Sequence, residues 1–109
     1  MIKSKELSTE VQLSEFADRY ALFRASRGEE SERKLFLRGF ERLRSRQKVM
    51  SRLIDEGFEN IELVGFGKIH VRIQDGIVDL EPLDGHESEV YLTREIIKDH
   101  TEYPVMVEN

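Results

Sequence analysis

Apolar positions recur along the chain with two different periods. Leu13, Phe16, Tyr20 and Phe23 stand three or four residues apart, with Ala17 and Ala21 beside them. This is the spacing of one helical face. Thr9 and Gln12 precede the stripe in capping-box spacing, so each can satisfy an orphan amide at a helix start. The pattern predicts a first helix over about residues 9–26. Arg27-Gly28 interrupts it. A second stripe follows at Phe36, Phe40, Leu43, Met50 and Ile54, with the polar Gln47 at the remaining position. Ser26 or Ser31 can cap this helix, and Glu29, Glu30 and Glu32 suit a first turn. Gly57 supplies the left-handed residue that ends it. The second predicted helix runs over about residues 29–56. Its seam fits a helical hairpin with the first helix or a dimeric coiled coil, in which Gln47 either fixes register or marks a boundary.

The period then changes to two. Ile69, Val71 and Ile73 alternate with Lys68, His70, Arg72 and Gln74, as in a half-buried strand. Asp75-Gly76 is a strong signal for a two-residue type I′ turn. That turn would place Ile73 opposite Val78, Arg72 opposite Asp79, Val71 opposite Leu80 and His70 opposite Glu81. Apolar pairs then share one face and charged pairs the other. Ile61 and Leu63 suggest a preceding strand, reached through Gly65-Phe66-Gly67, and Pro82 ends the pairing or marks an edge. Further on, Val90-Tyr91-Leu92 reads as a short strand. Thr93 reads as the cap of a helix over residues 94–100 that buries Ile96 and Ile97. Residues 104–107 form an edge strand or a tail, and residues 1–8 a frayed polar start. The expected fold is therefore α+β. An N-terminal helical hairpin (9–26 and 29–56) precedes a small antiparallel sheet containing a 68–74/77–81 hairpin. The expected organisation is one domain over 1–109, with a helical half (9–57) and a β-rich half (58–109).

The stretch from Phe66-Gly67 through Lys68–Gln74, Asp75-Gly76 and Ile77–Glu81 resembles a small bacterial protein family of unknown function. The shared pattern is an aromatic-Gly pair, an alternating strand, Asp-Gly and a second alternating strand. The resemblance implies a hairpin and brings no catalytic residues with it.

Composition narrows the class. The 109 residues carry 22 acidic and 17 basic side chains and no cysteine. Absence of cysteine excludes a disulfide scaffold, a Cys-type zinc finger and a thiol nucleophile. No apolar run approaches the roughly 20 residues of a membrane span. Residues 1–6 lack the apolar stretch of a secretory signal, so a cytoplasmic location is expected.

The net charge of −5 hides an asymmetry: residues 33–52 hold eight basic side chains against one acid, whereas residues 75–109 hold ten acids against two bases. On the predicted second helix, Lys34, Arg38, Arg42, Arg44, Lys48 and Arg52 occupy the face opposite the seam. Like charges at i, i+4 destabilise a helix slightly, which marks this face as a candidate for binding nucleic acid or an acidic partner. Six of the eight bases are arginine, whose planar fork suits paired contacts to phosphate or carboxylate.

Catalytic signatures are poor. Gly65-Phe66-Gly67-Lys68 lacks the spacing, the following Ser/Thr and the helix of a phosphate loop. His70, His86 and His100 are scattered, so no metal ion or cofactor is expected. The carboxylate pairs Glu29/Glu30, Asp55/Glu56 and Glu87/Glu89 lie in polar runs rather than in a pocket suited to acid–base work. The expected function is that of a non-enzymatic adaptor or regulator working through protein–protein contacts, including a homodimer. The alternative is a DNA- or RNA-binding protein using the six basic residues.

Overall fold

Tyr20, Ala21, Leu22, Phe23 and Ala25 are each fully buried. Consecutive buried residues of this kind require cover on two sides, and the chain supplies it by making Arg19–Arg27 an inner strand rather than a helix. The computed structural model describes residues 9–28, 32–83, 85–86 and 88–108. Its elements in chain order are β1 (Glu10–Gln12), β2 (Arg19–Arg27), β3 (Lys34–Phe40), α1 (Arg46–Asp55), β4 (Phe58–Arg72), β5 (Ile77–Pro82), α2 (Val90–His100) and β6 (Val105–Val107). They build a six-stranded sheet in the order β1-β3-β2-β4-β5-β6. The centre is antiparallel, and each edge is a three-residue strand paired in parallel, β1 on β3 and β6 on β5.

The N-terminal helical hairpin is therefore corrected: three strands precede the first helix. The cause lies in the two-sided burial. A strand buried on both faces shows a run of apolar residues, which periodicity cannot separate from a buried helix. Tyr20–Phe23 and Leu35–Leu37 are such runs. Between β3 and α1 the chain turns sharply at Arg42, whose φ of 66° no right-handed helix accommodates. The proposed Ser31 cap and the Glu29/Glu30 first turn, like the frayed segment 1–8, lie outside the described residues.

Alternation along the strands divides the core in two. Tyr20 and Leu22 of β2, with Leu35 and Leu37 of β3, join Ile69, Val78 and Leu80 beneath Val90, Ile96 and Ile97 of α2. Ala21, Phe23, Phe36 and Phe40 face the other way, with Phe58 and Phe66 beneath Val49 and Leu53 of α1. Phe23, Phe36 and Phe58 form a mutual aromatic cluster, with ring centroids 5.0 to 5.4 Å apart. The helices thus lie on opposite faces of one sheet.

β4 serves both faces through irregularities. Its register with β2 shifts between Leu22 and Phe23 and again between Arg24 and Ser26. Each shift inserts one extra β4 residue and reverses which residues face α1. Phe58, Ile61, Leu63 and Phe66 consequently all join the α1-side core despite their uneven spacing. Asn60 takes the left-handed conformation at the second shift (φ 53°), a geometry asparagine tolerates better than most residues.

The β4–β5 hairpin keeps the expected faces and changes register. Val71 pairs with Val78, Ile69 with Leu80, His70 with Asp79 and Lys68 with Glu81. The loop is the four residues 73–76 rather than two, closed by the Asp75 and Gly76 amides donating to the Arg72 and Ile73 carbonyls, with Gly76 left-handed. A slip of two residues preserves side-chain parity, so the apolar face survives. α2 begins at Val90, so the expected 90–92 strand is its first turn and Thr93 is a buried interior residue rather than its cap. Ile96 and Ile97 are buried as expected. β6 makes residues 105–107 an edge strand.

Tyr20 lies between two glycines, pairing with Gly39 on β3 and Gly67 on β4. A methyl at Gly67 would meet the Glu81 carbonyl oxygen, the Tyr20 ring and the Pro82 backbone. Gly67→Ala is expected to lower the urea midpoint at unchanged m, by about 1–3 kcal/mol of stability, as overpacking does. The Tyr20 hydroxyl is buried without a hydrogen-bond partner among the described residues, and burial pushes its pKa far above that of a free phenol. Tyr20→Phe is expected to leave stability unchanged or raise it in the same assay, because it removes an unsatisfied polar group.

Candidate interaction surface

α1 starts where Ser45, in extended conformation, accepts a hydrogen bond from the Lys48 amide through its side chain (3.2 Å). It stops at Glu56, and Gly57 follows with φ 94°, so the predicted terminator acts as read. Its buried stripe is Val49 and Leu53. The seam expected over Phe36, Phe40, Leu43, Gln47, Met50 and Ile54 is not one helical face. Phe36 and Phe40 are core residues of β3, Leu43 packs from the loop, Met50 is half-buried, Gln47 is exposed and Ile54 is 61% exposed.

The six basic residues are likewise distributed over three elements. Lys34 and Arg38 lie on β3, Arg42 and Arg44 in the connecting loop, and Lys48 and Arg52 on α1. Arg38 grips Glu56 with both guanidinium nitrogens, at 2.7 and 3.1 Å, in a partly buried fork. Its guanidinium also lies 5.6 Å from the Phe40 ring centre. Arg44 pairs with Asp18 at 3.4 Å, and the same carboxylate accepts the Arg42 backbone amide at 3.2 Å. Part of the basic charge therefore ties the sheet to the loop and to the end of α1.

Lys48 and Arg52 differ. Both are exposed, one helical turn apart, and neither forms an ion pair or side-chain hydrogen bond with a described residue. They border a shallow depression of about 460 Å³ that also contains Leu43, Ser45, Gln47, Ser51 and Asp55. Ser45 and Ser51 are small polar members that the charge pattern alone did not single out. The signal for Ser45 is its position immediately before the helix.

Among the described residues, the C-terminal helix does not cover this surface. α2, carrying exposed Glu95 and Asp99, lies on the opposite sheet face. Glu95 is itself paired with Arg94 and Lys98, at 3.4 and 3.7 Å. The loop after β5 approaches α1 at Gly85, which lies beside the Arg46 guanidinium.

Other chemistry is sparse. Among the described residues no group of three or more histidines and carboxylates converges to hold a metal ion. Gly65–Lys68 lies inside β4 rather than in a phosphate-binding loop. His70 stands opposite Asp79 on the polar face of the hairpin. His86 places Nδ1 3.3 Å from the Val64 carbonyl. Asp55 is exposed and Glu56 is engaged by Arg38. Of the Glu87/Glu89 pair, Glu87 lies outside the described residues. No described helix is long and apolar enough to cross a membrane. No protein-family model and no curated protein matches the chain.

The Arg38 hydrogen bond, aided by the charges of Arg38, Arg52 and Arg27 against a partial loss of hydration, holds the Glu56 carboxyl below its ordinary value. A carboxyl lowered in the folded state stabilises above its unfolded pKa of about 4.3, and that stability is lost as pH falls through the folded value. Glu56→Gln is expected to flatten the acid limb of a stability–pH curve measured by urea unfolding. At neutral pH it should reduce stability by about 1–3 kcal/mol, since a half-buried guanidinium loses its charged acceptor.

Proposed function

We propose that the protein is a cytoplasmic, non-enzymatic adaptor or regulator that docks an acidic segment of a partner protein on the outer face of α1. The observation that carries this reading is the exposed pair Lys48 and Arg52, neither in an ion pair or side-chain hydrogen bond with a described residue, at the edge of a depression furnished with serine hydroxyls and the Gln47 amide. Two cations and several neutral hydrogen-bonding groups suit carboxylates on a protein segment, for which complementary charge sets orientation and encounter rate. α2, with its exposed Glu95 and Asp99, lies on the opposite face of the sheet.

Nucleic-acid binding is the second reading, supported by the same surface and by the exposed Arg42 and Arg46 beside it. It is the weaker one. Phosphate-backbone binding is built from many neutralised phosphates. Here Arg38 and Arg44 already hold carboxylates, and Asp55 stands within the depression.

Fluorescence anisotropy with labelled polyglutamate and with duplex DNA, each across a salt series, separates the two. The expected result is polyglutamate binding that the doubly substituted K48E/R52E variant weakens at least about tenfold, or 1.4 kcal/mol, with unchanged circular dichroism. DNA binding with a steep salt slope, and none to polyglutamate, would transfer the assignment to the second reading. Binding of neither at low salt would remove both.

A further inference from the structure

The turn from β3 into α1 gathers positive charge around one hydroxyl. Arg42 and Arg44 stand three residues and one residue before Ser45, and Arg46 and Lys48 stand one and three residues after it. No acid interrupts the sequence between Glu41 and Asp55. Ser45 and these four cations are all exposed. Arg44, paired with Asp18, keeps 70% of its side chain in water. The Ser45 backbone is extended, with φ −130° and ψ 152°.

The other described serines each lack part of this combination. Ser26, between Arg24 and Arg27, is buried and engaged with Glu59 and Asn60. Ser51 follows Lys48 by three residues but lies inside α1. Ser14 precedes an acid, Glu15, and Ser88 donates to Glu89. A serine kinase selects substrates by their charge pattern, and the acceptor hydroxyl must reach a position in line with the γ-phosphate. An extended, exposed serine meets that demand more readily than one fixed within a helix.

We propose that Ser45 is the acceptor for a kinase that recognises basic substrates, and that its phosphorylation releases the acidic segment from α1. In the transfer the Ser45 Oγ bonds to the γ-phosphorus of magnesium-bound ATP. The bond from that phosphorus to the β–γ bridging oxygen breaks, ADP leaves with the electron pair, and the hydroxyl proton passes to the kinase base. The Ser45 Oγ already accepts the Lys48 amide. A phosphate there adds acceptor oxygens at the start of a helix and faces neighbouring arginines, an arrangement that leaves the fold intact. The depression is lined by two cations, Lys48 and Arg52, against one carboxylate, Asp55. A phosphate of about −1.5 to −2 charge turns that balance negative. The release step rests on the docking of an acidic segment proposed above, whereas the acceptor role does not.

Wild type, S45A, S51A and R42Q are incubated with magnesium ATP and the catalytic subunit of cyclic-AMP-dependent protein kinase, and incorporation is mapped by tandem mass spectrometry. The expected result is a single phosphate at Ser45, none in S45A, undiminished incorporation in S51A, and a rate at least about tenfold lower in R42Q. The purified phosphoprotein should bind labelled polyglutamate at least about tenfold more weakly than the unmodified chain, with a thermal midpoint unchanged or raised. Absence of incorporation, or incorporation at Ser51 instead, would overturn the acceptor assignment. A phosphoprotein that binds polyglutamate as tightly as before would overturn the release. If the unmodified chain fails to bind polyglutamate, the docking reading fails with the release, while the mapped site still decides whether Ser45 is the acceptor.

Discussion

Two-sided burial of β2 and β3 is the constraint on which the structure depends. Tyr20, Leu22 and Leu37 press toward one face, and Ala21, Phe23 and Phe36 toward the other. Neither face can be left to water, because each would expose a continuous apolar surface. Each must therefore receive a covering layer, and the two helices of the described residues supply it. α1 covers the phenylalanine-rich face and α2 the aliphatic one. Once this division is made, α1, which carries Arg46, Lys48 and Arg52 against Asp55, and α2, in which Arg94 and Lys98 balance Glu95 and Asp99, lie on opposite sides of a sheet.

Ion pairs refine that arrangement. Arg38 and Glu56 join β3 to the end of α1 in a partly buried fork, while Asp18 gathers the loop through Arg44 and the Arg42 amide. These contacts tie β3 and the loop to the helix that carries Lys48 and Arg52, and they engage the Arg38 and Arg44 guanidiniums. A concentration of charge in sequence thus separates into an internal part, which positions α1, and an external part on its outer face. The distinction matters because exposed charge is screened and individually weak, but it remains available to a partner.

The legibility of the sequence followed the asymmetry of each element. The β4–β5 hairpin has one apolar and one charged face, so Ile69, Val71, Val78 and Leu80 showed their orientation although the turn was two residues longer than Asp75-Gly76 suggested. Gly57 and the Ile96/Ile97 pair also carried clear local signals. β2 and β3 did not, because burial on both faces erases the alternation that marks a strand. Phe16 fell by chance into helical spacing with Tyr20 and Phe23, yet it lies exposed on a loop. The uneven spacing of Phe58, Ile61, Leu63 and Phe66 makes sense only with the two register shifts of β4. The basic surface was legible as a charge concentration, whereas its geometry required the turn at Arg42 that separates β3 from α1.

The outer face of α1, which carries Lys48 and Arg52, is proposed to receive an acidic protein segment. Backbone amide chemical-shift mapping during titration with polyglutamate tests it most directly. Saturable shifts clustered over residues 43–55 are expected, with α2 (90–100) and the polar face of the β4–β5 hairpin unmoved. Shifts centred on Lys68, Arg72 or α2, with residues 43–55 silent, would contradict it.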